Sequence, residues 1–205
     1  MNGPTKSHGR KSISPSLTPR DLMAPKPKLS NVWTAQIITL FPDCFPGVLE
    51  HSLTGRALDE GKWAFKTIDL RSFGEGKHKN VDDKPSGGGA GMVLRADIVG
   101  KAIESALDQA QTKERPLICL SPRGRPFDQN MAKSWSQETG VIMLCGRFEG
   151  IDQRVLDHYG IEEVSLGDFV MTGGEIAAQA MIDTTVRLLP GVLGNTASVE
   201  QESHS

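Results

Sequence analysis

From Val32 onward the apolar residues fall into two kinds of pattern, short uncharged runs and stretches with helical spacing, and the two alternate along the chain. Val32 to Phe41 is rich in β-branched and aromatic residues and stops at Pro42, which predicts a strand. Phe45, Val48, Leu49, Leu53 and Ala57 then recur at helical spacing with Gly61 just past the last turn, which predicts a helix. A second strand is expected over Phe65 to Leu70. Arg71 to Gly91 holds six glycines and no apolar periodicity, so it reads as a long loop of the kind that tends to carry function. Ile98, Ala102, Ile103, Ala106, Leu107 and Ala110 define an amphipathic helix, with Asp97 as the expected N-cap and Pro116 at its exit. Leu117 to Leu120 and Val141 to Cys145 are too short for helices and do not alternate, as suits strands buried on both faces. Asp128 to Glu138, between them, has room for a helix. A weaker strand, Glu163 to Leu166, precedes a last helix from Glu175 to Leu189 that Pro190–Gly191 ends. This alternation predicts an α/β domain, a largely parallel sheet with helices on both faces, and a ligand crevice at the carboxyl ends of the strands.

Composition narrows the class. The 205 residues are 38% hydrophobic and 23% charged, close to the globular average, which excludes a fibrous or wholly disordered chain. No apolar stretch approaches the ~18 residues of a membrane span, so no membrane partner is expected. Cys44, Cys119 and Cys145 are widely spaced and form no CxxC, which argues against a disulfide framework or zinc cage and fits a reducing cytoplasm. Residues 1–32 are rich in Ser, Pro and Lys, hold six basic residues against Asp21 alone, and read as a disordered basic extension. The remaining seventeen basic and twenty-four acidic residues give a net charge of −7, so any polyanion must be gripped locally and not by bulk charge.

Each central strand opens into a polar, glycine-bearing turn: LSPRGRPFD from Leu120, CGRFEGID from Cys145 and SLGDFVMTGGE from Ser165. Glycines there let backbone approach a ligand, and exposed N–H and C=O groups can pair with a purine; any one such turn is also ordinary βα geometry. Gly87 to Gly91 lacks the lysine of a phosphate-binding GxxxxGK[ST], and no GxGxxG follows the first strand. Ser121 is not in a GxSxG elbow, and the histidines lack metal-ligand spacing. Asp152 reads as the N-cap of the helix that follows it. Arg187, on the otherwise apolar last helix, either snorkels to solvent or serves an anionic group.

Taken together, ITLFPDCFPG from Ile38, TGRA from Thr54, VDDKPSGGGAGM from Val81, LSPRGR from Leu120, CGRFEGIDQRV from Cys145, GDFVMTGGE from Gly167 and RLLPGVLGN from Arg187 resemble the bacterial tRNA (guanine-N(1)-)-methyltransferases from Trp33 to Ser203. The resemblance implies a SPOUT-type α/β domain with a deep trefoil knot over residues 33–192, an obligate homodimer, and residues 193–205 as the start of a linker to an absent C-terminal helical domain. It implies S-adenosylmethionine bound by Leu120, Ser121 and Pro122 on the first turn, by Gly146 and Glu149 on the second, and by Leu166, Gly167, Asp168, Phe169, Val170, Met171, Gly173 and Gly174 on the third. It implies methyl transfer to guanine N1 of the tRNA guanosine just 3′ of the anticodon, with Arg187 stabilising charge on the guanine oxygen, Asp82 positioning substrate, Arg147 near the base or phosphate, and a general-base aspartate beyond Ser205. Magnesium dependence is also implied, without a ligand cluster to locate the ion. The chain departs from the family pattern at Cys119, where a tyrosine is usual, at the SGGGAG of Ser86 to Gly91, and at Ala177, where a proline is usual. Two other expectations stay open, an adenosine-binding module without transfer and a SPOUT-type ribose methyltransferase.

Overall fold

The computed structural model describes residues 32–193 apart from Ser86, Ala90 and 111–114. The basic extension over residues 1–31, Ser86 and Ala90 of the glycine loop, and residues 194–205 lie outside the described residues.

Five parallel strands make the central sheet: β1 (Trp33–Thr39), β2 (Trp63–Asp69), β5 (Leu117–Pro126), β6 (Gly140–Cys145) and β7 (Glu162–Ser165), in the order β2-β1-β6-β5-β7. Two short antiparallel strands, β3 (Asp82–Asp83) and β4 (Val93–Leu94), stand apart from it, β3 within the segment Arg71 to Gly91 that reads as loop from its sequence and β4 just after it. The helices are α1 (Ser52–Asp59), α2 (Ala96–Ala110), α3 (Gln129–Gln137), α4 (Gln153–Tyr159) and α5 (Glu175–Val186).

Strand residues alternate between the two faces, and each face has its own core. Ala35, Ile37, Ile118, Val141 and Met143 are buried with α3 and α5 on one side. Ile38, Cys119, Ile142 and Leu144 are buried with α2 and α4 on the other. Because β6 is covered on both faces, all six of its residues are buried, which is why its sequence is a continuous apolar run. Gln36 is, with Thr39, one of the two buried polar residues in β1. It is 1% exposed and satisfied at both ends, its Nε2 donating to the Ala106 carbonyl (2.9 Å) and its Oε1 accepting from Arg115 (2.8 Å).

Three local expectations are corrected. The helix read from Phe45 to Ala57 is broken into a 3-10 turn, Gly47–Glu50, and α1, with Ser52 at φ 56° at the joint. Phe45, Leu49 and Ala57 are buried while Val48 and Leu53 are exposed, so only part of that apolar spacing faces the core. Asp97 is no N-cap: α2 begins at Ala96, and the Asp97 carboxylate is taken up by Arg95 at 2.7 Å, a bond that holds the carboxyl below its usual range. The last helix ends at Val186, short of Leu189.

The remaining difference shapes the molecule. β5 does not stop at Leu120. Val164 of β7 pairs with Leu120 and again with Arg125, so the residues between them bulge out of the ladder and rejoin it. Gly124 permits this close pass, since a Cβ there would lie 2.4 Å from the Glu163 carbonyl carbon and the Val164 nitrogen. Asp152 caps α4 as its position predicts, accepting from the Arg154 N–H at 3.0 Å.

Candidate functional site

The carboxyl ends of β5, β6 and β7 open side by side, and the turns that leave them enclose a cleft of about 310 Å³. That volume falls at the lower end of the ~300–1,000 Å³ of small-molecule sites. The first wall is Leu120 to Arg123, in the bulge of β5. The second is Gly146 to Ile151, after β6, and the third runs from Leu166 to Gly174.

Backbone contacts hold these turns to one another. The Gly174 N–H donates to the Gly146 carbonyl at 3.2 Å, joining the second and third turns. Ser165 orders the start of the third turn: its hydroxyl donates to the Gly167 carbonyl (2.8 Å) and accepts from the Gly167 N–H (3.2 Å). The second turn is tied to the glycine loop and β4, as Glu149 N–H donates to the Met92 carbonyl (2.9 Å) and Leu94 N–H to the Gly150 carbonyl (3.0 Å). Gly91 lies against the Glu149 side chain, so closely that a Cβ on it would fall 2.3 Å from Cγ.

Of the thirteen residues that the sequence resemblance assigns to a cofactor, all but Asp168 line the cleft. Cys119 and Ala177 line it as well, so two departures from the family pattern reach the cleft, both buried. Sequence reading missed Arg123, Phe148, Ile151 and Thr172 as lining residues. Phe148 carried a legible signal: it is an aromatic inside CGRFEG with no strand or helix to serve. It is 52% exposed at φ 59°, a backbone region that bulky side chains rarely occupy.

The three candidate catalytic side chains are not gathered in the cleft. Asp82 is half-buried on β3 and pairs across from Leu94. Arg187 follows the last residue of α5 and is half-buried. It lies ten residues beyond Ala177, the α5 residue that lines the cleft, or about 15 Å along the helix. Arg147 does line the cleft, yet its guanidinium is turned inward, donating to Glu175 Oε2 (2.6 Å) and the Thr172 carbonyl (3.0 Å) and lying 4.4 Å from the centroid of the Phe41 ring. No group of three or more His, Cys, Asp or Glu that could hold a metal ion occurs among the described residues.

Burial sets the cysteine chemistry. It pushes the Cys119 thiol up to about 12 and the Cys145 thiol well above its usual value, whereas Cys44 is exposed. Titration of the native protein with a thiol-reactive dye at pH 8 is therefore expected to count one cysteine, and a Cys44→Ser variant none until denaturant is added. Fast labelling of that variant would contradict the packing of the cleft floor.

A family model described as tRNA (Guanine-1)-methyltransferase TrmD matches residues 33–205. A tRNA (guanine-N(1)-)-methyltransferase of Ruegeria pomeroyi is 67% identical over 183 residues, covering 89% of this chain and 75% of the relative. Proteins of the same name are 65% identical over 183 residues in Ruegeria sp. strain TM1040 and 53% identical over 177 residues in Bradyrhizobium diazoefficiens, the latter covering 86% of this chain and 69% of the relative.

Proposed function

The chain belongs to the tRNA (guanine-1)-methyltransferase family, and from that premise we propose that the cleft at the ends of β5, β6 and β7 holds S-adenosylmethionine for methylation of a tRNA guanine. The activity is methyl transfer to guanine N1 of tRNA, and the site we assign is the tRNA guanosine just 3′ of the anticodon. The observation that carries the cofactor reading is the convergence of three separate turns in one cleft, with Gly146, Gly150, Gly167, Gly173 and Gly174 in its lining.

The residues present fit such a cofactor. The lining stretches Leu120 to Pro122 and Phe169 to Met171 would bring backbone N–H and C=O groups to the adenine edge, and half-buried Leu166 and Met171 offer apolar faces for the ring. The exposed carboxylate of Glu149 favours the cationic end of the molecule. Bound there, S-adenosylmethionine supplies an electrophilic methyl group. Guanine N1 carries a proton in the neutral base, so a general base must take it while a cation offsets the charge that builds on the guanine oxygen. Arg187 fills the second role, and Asp82 positions the substrate.

Arg187 is too far along α5 to serve the cleft of its own chain. A homodimer that presents each Arg187 to the partner's cleft resolves this. Ile176 on α5 is 65% exposed and Val170 84%, apolar surface of the kind that a second copy would cover. A cytoplasmic location accords with three free cysteines and with no helix among the described residues long and apolar enough to cross a membrane.

Calorimetry of the RNA-free protein with S-adenosylmethionine is expected to give one saturable site per chain. A folded sample that binds none would remove the cofactor reading.

A further inference from the structure

Glu175 stands at the first residue of α5 with its side chain only 3% exposed, a burial that a carboxylate tolerates only when it is paired. Both of its oxygens are engaged. Oε2 accepts from Arg147 Nη2 at 2.6 Å, and Oε1 accepts from the Thr39 hydroxyl at 2.7 Å. Thr39 in turn accepts from the Phe41 N–H at 2.9 Å, which fixes the chain as it leaves β1 and brings the Phe41 ring over the Arg147 guanidinium. On its other side Arg147 donates to the Thr172 carbonyl.

Three segments that are distant in sequence meet at this one carboxylate: the end of β1, the turn after β6 and the turn that enters α5. The last two of these are walls of the cleft. Gly173 lies flat on the guanidinium, and a Cβ there would fall 2.2 Å from Arg147 Nε. That nitrogen is buried without a hydrogen-bond partner, sealed by the contact. The path of Thr172 to Gly174 is thus moulded on Arg147, and Arg147 is held in place by Glu175.

We infer that Glu175 is a positioning residue: through Arg147, and braced by Thr39, its buried charge sets the cleft wall at Thr172 to Gly174 and so the affinity for cofactor. The inference rests on the cofactor reading above and assigns Arg147 to the wall and not to the RNA. Glu175 touches no reacting atom in this scheme.

The test is calorimetric titration with S-adenosylmethionine of the wild-type protein, Glu175→Gln, Arg147→Met, their double variant and Thr39→Val, at a temperature well below each melting transition. Glu175→Gln keeps size and removes charge, and is expected to weaken binding on the order of 10- to 100-fold, the cost of a misplaced site wall. The double variant is expected to match Arg147→Met within about twofold, because both changes break one linkage. Thr39→Val leaves the ion pair and deletes one brace, so a smaller loss in the same direction is expected, and it keeps the test decisive if Glu175→Gln does not fold. Wild-type affinity in folded Glu175→Gln or in Thr39→Val, with only the melting temperature lowered, would show a purely structural role and overturn the inference. Losses that multiply in the double variant would overturn it too. No binding by the wild-type protein would instead remove the cofactor reading, and this inference with it.

Discussion

Arg187→Ala is expected to lower turnover by ~10²–10³ while leaving the affinity for S-adenosylmethionine nearly unchanged. The reasoning is electrostatic. Removing the N1 proton pushes negative charge onto the guanine oxygen, and a fixed guanidinium aimed at that oxygen stabilises the transition state more than the ground state. Arg187 has no place in the cofactor cleft of its own chain, so its loss should not disturb cofactor contacts. The proposed homodimer, with each Arg187 at the partner's cleft, predicts complementation. When Arg187→Ala is mixed with Glu149→Arg, whose reversed charge repels the cationic end of the cofactor, each mixed dimer regains one intact site, and free exchange restores about a quarter of the wild-type sites. Action of Arg187 in its own cleft would give no recovery on mixing, and wild-type turnover in Arg187→Ala would end its catalytic role.

Gly124→Ala carries the second large effect, here on the fold that builds the cleft. The added methyl would meet the backbone of Glu163 and Val164 at 2.4–2.5 Å, where no side chain can swing away. Either β7 moves or the bulge does, and both carry cleft residues, since Ser121 to Arg123 and Val164 to Gly167 line it. Overpacking of this kind costs about 3 kcal/mol at the upper end of its usual range. For a domain of this size that is a fall in melting temperature of roughly 6–12 °C. Gly87→Ala is the control, because a Cβ there has open space. A Gly124→Ala protein that melts like the wild type and binds cofactor normally would contradict the described course of β5 past β7.

The sheet was legible because burial on both faces leaves a plain mark. β6 is apolar at every position, and the first residues of β5 nearly so. The turns were legible through glycine. What escaped depended on contacts between distant residues. Nothing in SPRGRP announces a strand that bulges and rejoins its neighbour, since the cause is the close approach of Glu163 and Val164, forty residues on. The broken helix after Pro42 kept its apolar spacing, and the extended backbone at His51 with the positive φ at Ser52 divides it. Arg147 read as a group near the base or phosphate through the resemblance alone. Its commitment to Glu175 depends on burial that no local pattern encodes. The resemblance supplied the cleft residues, and the structure brings twelve of the thirteen to its wall.

The most direct test of the account is the product itself. Protein expressed from its complete reading frame is incubated with methyl-labelled S-adenosylmethionine and an unmodified tRNA transcript bearing guanosine 3′ of the anticodon, and the RNA is digested to nucleosides for mass spectrometry. The account predicts label in 1-methylguanosine at that position, lost when the guanosine is replaced by adenosine. Label in a ribose-methylated nucleoside, or none in an RNA-bound and cofactor-bound protein, would contradict it.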